Sequence, residues 1–225
     1  MITQRLAIGF LFAVFAFAGT ADETGSTAEK PMEGKSEATQ AASDDTEMKE
    51  SEQDNPKVLL DTSHGTIMLE LFADKAPLTV KHFLKLVDDG HYDGIIFHRA
   101  HKGFVIQAGS WDQDLNSRDV PETVKNEAMN GLKNSKGTVA MARYDDPDSA
   151  SADFFINTKN NHMLNYSESE GKAGYAVFGK VIRGMKIVHE IENLNTKTEV
   201  VNGVELVNFP VDTVVITKAQ QFRDR

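Results

Sequence analysis

Apolar and polar positions alternate over two short runs near residue 60. Residues 58–62 and 66–72 flank His64-Gly65, and Ile67, Leu69 and Leu71 fall at every second position, so the pair reads as a β-hairpin with one buried face. The period then changes. Pro77 suits a first helical turn, Val80, Phe83, Leu84 and Val87 recur at the spacing of one helical face, and Gly90 is the natural stop. The lysines and carboxylates between 81 and 89 fit the solvated side of that helix. Short apolar runs separated by glycines predict further strands at 95–99, 104–107, 138–142, 154–157, 176–182 and 211–218. Asn202-Gly203 predicts a tight turn between 199–201 and 204–206. A second helix fits 185–191, where Ile187, Val188 and Ile191 share a face. Strands dominate, and the pattern implies a mainly-β fold: a closed or nearly closed antiparallel barrel with the two helices plugging its ends. Phe97, Phe154 and Phe178 are expected in its core and His98 as a buried, hydrogen-bonded residue. Trp111, the only tryptophan, is expected in a surface loop and is assigned no role.

The first 55 residues follow neither period. Residues 1–21 carry one charge, Arg5, then an apolar run from Leu6 to Ala18 that is shorter than the roughly 20 residues a membrane helix needs. Small residues follow, so residues 1–21 read as a signal peptide cleaved after Ala18 or Ala21, leaving no stable membrane insertion. Residues 22–55 hold 11 acidic residues against 3 lysines and no aromatic, leucine, isoleucine or valine. Such a stretch has nothing to bury and is expected to be a disordered acidic spacer. Residues 56–225 are then the folded domain, long enough for one substantial core. Export follows, with the periplasm as the expected compartment.

Charge and composition remove several functions. With 24 Lys+Arg against 34 Asp+Glu, a net charge of -10, the chain is a poor nucleic-acid binder. Cysteine is absent, which excludes disulfides, thiolate metal sites and a cysteine nucleophile. Neither Gly-x-Ser-x-Gly nor a glycine-rich phosphate loop occurs, and Ser149 and Ser151 sit in a small, acidic, turn-like run. His98 and His101 are three apart, which on a strand points them to opposite faces, so no metal site is expected. No cofactor is expected either.

The densest polar chemistry lies in Phe97-His98-Arg99-Ala100-His101-Lys102-Gly103-Phe104-Val105-Ile106-Gln107-Ala108-Gly109, where two strands meet. Strict alternation places Phe97 and Arg99 on one face of the first strand, and Val105 and Gln107 on one face of the second. An arginine beside a phenylalanine is either a structural ion pair or a binding group. The residues alone leave both open.

The stretches Ala76-Pro77-Leu78-Thr79-Val80, Phe97-His98-Arg99 and Gly103-Phe104-Val105-Ile106-Gln107 resemble the cyclophilin peptidyl-prolyl isomerases. So do Gly137-Thr138-Val139-Ala140-Met141-Ala142-Arg143, Ser149-Ala150-Ser151-Ala152-Asp153-Phe154-Phe155-Ile156-Asn157 and Gly174-Tyr175-Ala176-Val177-Phe178-Gly179-Lys180-Val181, in the family's order and near its spacing. The likeness covers essentially all of the domain and is greatest to bacterial exported members. It implies a closed eight-stranded antiparallel barrel capped by two α-helices. It also implies that Arg99 is the catalytic arginine and Gln107 the glutamine that holds the substrate backbone. Phe104, Val105, Phe155 and Leu164 match positions lining the proline pocket, and Ala142 and Arg143 match the barrel edge that pairs with the peptide. Arg143 is asparagine in many members, where contact is largely through backbone. Tyr175 stands where many eukaryotic members have histidine. Asp153 replaces a common glutamine, and a carboxylate there could pair with Arg99. Met163 takes a substrate-binding position held by tryptophan in cyclosporin-sensitive members, so weak cyclosporin binding is expected.

The implied function is to accelerate rotation of X-Pro bonds in proline-containing segments of exported proteins, by a monomer, with Arg99 donating to the proline nitrogen of the twisted amide. Two other functions compete with it. One is a non-catalytic chaperone module that binds proline peptides, against which the retained Arg99 and Gln107 argue. In the other, the acidic spacer is the working part and the barrel its cargo.

Overall fold

The computed structural model describes residues 55–222. The expected signal peptide, and the expected spacer up to residue 54, lie outside those residues. The elements run β1 (Lys57–Thr62), β2 (Gly65–Leu71), α1 (Pro77–Asp88), β3 (Ile95–His101), β4 (Val105–Asp112), β5 (Thr138–Met141) and β6 (Phe154–Asn157). A 3-10 turn at His162–Leu164 is followed by β7 (Val177–Arg183), α2 (Met185–Glu192), β8 (Thr196–Val201), β9 (Val204–Pro210) and β10 (Ile216–Phe222).

Eight strands form one antiparallel sheet in the order β10-β1-β2-β7-β5-β6-β4-β3. Its two edges meet. Gly94 N donates to Ile216 O at 2.8 Å, Phe97 N donates to Val214 O at 2.9 Å, and an isolated bridge joins Ile96 to Val215. The sheet therefore curls into a nearly closed barrel, which leaves little strand edge exposed. Inward-facing Leu60, Ile67, Leu69, Ile106, Val139, Phe154 and Phe178 form its core. Phe83 of α1 joins them, its ring meeting that of Phe154 edge-on at 5.5 Å, and Val188 and Ile191 of α2 are buried in the same cluster.

The start of α1 is closed by a distant residue. Pro77 occupies the first turn, and the Glu127 carboxylate accepts from Leu78 N at 3.1 Å, Thr79 N at 2.8 Å and Thr79 Oγ1 at 2.6 Å. It satisfies amide donors that the helix itself cannot, at the end favoured by negative charge.

Three sequence expectations are corrected. Trp111 lies on β4 rather than in a loop and is only 9% exposed. The β8–β9 hairpin, a separate two-stranded sheet, contributes Val201, Leu206 and Phe209 to a second apolar cluster with Ile96 and Trp111. β4 itself runs out to Asp112, which pairs with Ile95 of β3. The strand expected at 211–218 begins only at Ile216, where its partner β1 ends with the Thr62–Ile216 pair; Val214 and Val215, beyond that end, face β3 instead. Phe97 and Arg99 do not share a face. Phe97 pairs with Ala108 and Arg99 with Gln107, so two steps on β3 oppose one on β4, and His98 is the extra residue of a β-bulge. Phe97 turns into the barrel core, while Arg99 lies outside beside Phe104.

Candidate active site

The register of the sheet assembles a row of side chains on the outside of the barrel wall. Arg99 pairs with Gln107, Gln107 with Phe155, Phe155 with Ala140, and Ala140 with Val177, crossing β3, β4, β6, β5 and β7 in turn. Side chains at paired positions of neighbouring strands stand side by side on one face. Val105, Ala140, Ala142, Phe155, Leu164 and Val177 form one apolar cluster separate from the barrel core, with Phe104, Leu132 and Tyr175 packed against it. Of the residues singled out in the sequence, Phe104, Val105, Ala142, Phe155, Leu164 and Tyr175 thus belong to one apolar patch, and Arg99 and Gln107 border it.

Arg99 is half-buried at the edge of this patch. Its guanidinium carbon lies 5.7 Å from the centre of the Phe104 ring, and Nη1 donates to Gln107 Oε1 at 3.5 Å. Burial lowers its pKa, and an arginine so placed still carries its charge at neutral pH. Gln107 is 6% exposed, and its Nε2 donates to Asp153 Oδ2 at 3.5 Å. Asp153 Oδ1 accepts from Ser110 Oγ at 2.8 Å. The carboxylate's support thus reaches Arg99 through Gln107, where the sequence suggested a direct pair. Gly109 makes that packing tight: with φ at +146°, a Cβ there would lie 2.5 Å from both Ala152 O and Asp153 Cα.

Tyr175 meets Phe155 edge-on at 5.7 Å and carries the Arg143 guanidinium over its ring at 4.6 Å. Burial raises its pKa, opposed by the charges of Arg143 and Arg99. Arg143 does more with its side chain than the family pattern suggests. Its Nε donates to Gly174 O at 3.0 Å and its Nη1 to Tyr144 O at 2.7 Å, which locks the stack on Tyr175. Met163 precedes Leu164 on the 3-10 turn and stays outside the cluster at 66% exposed.

His98, the bulged residue, is buried with its Nε2 4.0 Å from Asp153 Oδ2. Burial lowers its pKa, partly offset by the Asp153 charge. Its Nδ1 has no hydrogen-bond partner among the described residues. The expectation of a buried residue holds. Among the described residues no group of three or more His, Cys, Asp or Glu side chains is disposed to hold a metal ion. No helix among them is long and apolar enough to cross a membrane.

Sequence reasoning missed the groups that hold the patch in shape. Three buried asparagines form a relay beneath it. Asn161 Nδ2 donates to Phe104 O at 2.9 Å and to Asn157 Oδ1 at 2.7 Å. Asn157 Nδ2 donates to Asn134 Oδ1 at 3.2 Å and to Thr138 Oγ1 at 2.9 Å. Asn134 Nδ2 then donates to Leu164 O at 3.1 Å and Tyr175 O at 3.3 Å. Backbone groups of three patch residues from separate segments are thereby tied together. Glu192 of α2 adds a fourth tie, accepting from Gly103 N at 3.1 Å and so holding the turn that carries Phe104. The abundance of asparagine between 157 and 165 is the only trace of the relay in the sequence.

Comparison with known proteins is consistent with this geometry. Residues 57–221 match the family model described as cyclophilin type peptidyl-prolyl cis-trans isomerase. A peptidyl-prolyl cis-trans isomerase of Streptomyces antibioticus is 46% identical over 164 residues, covering 72% of this chain and 96% of that protein. Peptidyl-prolyl cis-trans isomerase B of Escherichia coli is 47% identical over 140 residues, or 62% of this chain and 85% of that one. The fold is similar to a crystal structure of a Cryptosporidium parvum cyclophilin-type isomerase in the presence of the dipeptide Ala-Pro. That match has a TM-score of 0.60 at 26% identity and covers 75% of this chain and 99% of that chain.

Proposed function

Since the chain belongs to the cyclophilin-type peptidyl-prolyl cis-trans isomerases, we propose that its isomerase site is the outer patch and that Arg99 is the catalytic donor. The observation that carries this is the cross-strand row, which sets a half-buried guanidinium against Phe104, Gln107 and the apolar cluster around Phe155.

Rotation about an X-Pro bond must break amide resonance, a barrier near 20 kcal/mol that corresponds to roughly 0.01 per second without catalysis. No covalent step is needed. In the twisted amide the proline nitrogen becomes pyramidal and regains a lone pair, so a donor aimed at it binds the transition state better than either planar form. Arg99 supplies that donor from a permanently charged, rigid fork, and its half-burial strengthens the bond by excluding water. The proline ring sits on Phe104, Val105, Phe155 and Leu164. Gln107 holds the substrate backbone, and Ala142 and Arg143 border the chain that follows. Turnover near 1,000 per second requires lowering the barrier by about 7 kcal/mol, within reach of electrostatics and positioning.

The substrates proposed are proline-containing segments of exported proteins, met in a periplasm after removal of the signal peptide, with the enzyme acting as a monomer. The charge and apolar pattern of residues 1–21 supports export. N-terminal sequencing of the mature protein tests it, and a chain beginning at Gly19 or Asp22 is expected. A protease-coupled assay on a proline tetrapeptide tests the activity: acceleration is expected, and peptide binding without acceleration would point to a retention module.

A further inference from the structure

On the reading that Arg99 is the catalytic donor, we propose that Asp153 is a positioning residue, which orients the guanidinium by fixing the side-chain amide of Gln107. Gln107 is enclosed between a cation and an anion, with its Oε1 at 3.5 Å from Arg99 Nη1 and its Nε2 at 3.5 Å from Asp153 Oδ2. An amide in a buried slot has two orientations related by a flip, and only its neighbours choose between them. A carboxylate accepts and cannot donate. Asp153 therefore admits the orientation that turns Nε2 toward itself and Oε1 toward Arg99. The flipped amide would set an NH2 group against the guanidinium and an oxygen against the carboxylate, two mismatched contacts in a buried site.

The carboxylate is itself held. Asp153 is 14% exposed in its side chain, its Oδ1 accepts from Ser110 Oγ at 2.8 Å, and Gly109 leaves no room between β4 and residues 152–153. His98 Nε2 stands 4.0 Å from Oδ2 on the other side. Both contacts of Gln107 are long for hydrogen bonds, so each adds little stability, and their value lies in orientation. A glutamine at 153 could donate or accept and would leave the flip of Gln107 undecided. The aspartate decides it.

A double-mutant cycle separates this role from simple structural support. kcat and KM for a proline tetrapeptide are measured for the wild type, Asp153→Ala, Gln107→Ala, the double variant and Arg99→Ala. Asp153→Ala is expected to lower kcat/KM about tenfold, mainly through kcat, and in the Gln107→Ala background to lower it less than about twofold further. Asp153→Asn keeps the shape but can donate, so a loss of about threefold is expected; should the alanine variant not fold, this one carries the same cycle. Equal fold-losses for the substitution at 153 in both backgrounds, or a loss confined to KM, would overturn the proposal. Arg99→Ala distinguishes the failures. A large loss there with additive effects at 107 and 153 defeats only the role of Asp153, whereas an unaffected Arg99→Ala defeats the arginine reading and this one with it.

Discussion

Phe97 and Arg99 stand two residues apart on one strand and face opposite sides of the barrel wall, Phe97 in the core and Arg99 beside Phe104 on the outer patch. Between them His98 is accommodated as a bulge. Without it, regular alternation would put the guanidinium on the same side as the core phenylalanine, where an ionised group would meet no water and no apolar cleft. The local irregularity is what delivers the arginine to Gln107.

The buried position of His98 makes stability depend on pH. Burial lowers its pKa below that of an unfolded-chain histidine, and His91 is lowered by burial as well. Below about pH 6.5 the unfolded chain therefore binds protons that the folded chain refuses, so stability falls as pH drops from 7 toward 5. Each such group steepens the loss by at most about 1.4 kcal/mol per pH unit. Thermal melts across this range are expected to show Tm falling, with a shallower slope in His98→Gln. An unchanged slope in that variant would contradict the assignment. Turnover measured on the folded enzyme should stay nearly flat from pH 6 to 8, since Arg99 keeps its charge throughout.

The asparagine relay predicts a coupled loss of stability and substrate affinity. Asn157→Ala removes the acceptor of Asn161 and the donor to Asn134, both buried, and to the partly buried Thr138. Unsatisfied buried groups of this kind cost about 2–4 kcal/mol together. Urea unfolding should register that loss, and KM should rise because Phe104, Leu164 and Tyr175 lose their common tie. A change in stability below about 1 kcal/mol would show the relay to be incidental.

Met163 offers a test through an inhibitor. Its thioether, mostly exposed, cannot donate a hydrogen bond, whereas a tryptophan at this position brings an indole N–H. Cyclosporin is expected to bind the wild type with a Kd above 1 μM, on the order of weak micromolar affinity, and Met163→Trp to bind about tenfold tighter, the worth of one added hydrogen bond. Calorimetric titration decides it, and a sub-micromolar wild-type Kd would speak against it.

Periodicity makes much of the architecture legible in the sequence itself. The hairpin at 58–72, the helix starting at Pro77 and the Asn202-Gly203 turn are set by neighbours in sequence, and they occur where the pattern places them. What escapes the pattern depends on distant segments. The burial of Trp111 follows from a hairpin about 90 residues later in the chain, the late start of β10 from where its partner β1 ends, and the relay from Asn134 meeting the segment 157–161, with Asn157 lying 23 residues after Asn134. The bulge at His98 has no local signal either, because Phe97-His98-Arg99-Ala100 suits a regular strand as well as an irregular one. Family resemblance identifies the patch residues, while the means of holding them in place is visible only in three dimensions.

Arg99→Ala gives the most direct test of the central claim. In the protease-coupled proline peptide assay, kcat/KM is predicted to fall by roughly 100-fold or more, the scale of removing one transition-state donor. Circular dichroism and Tm should stay close to wild type. A loss of less than about threefold in a folded Arg99→Ala variant would contradict the account.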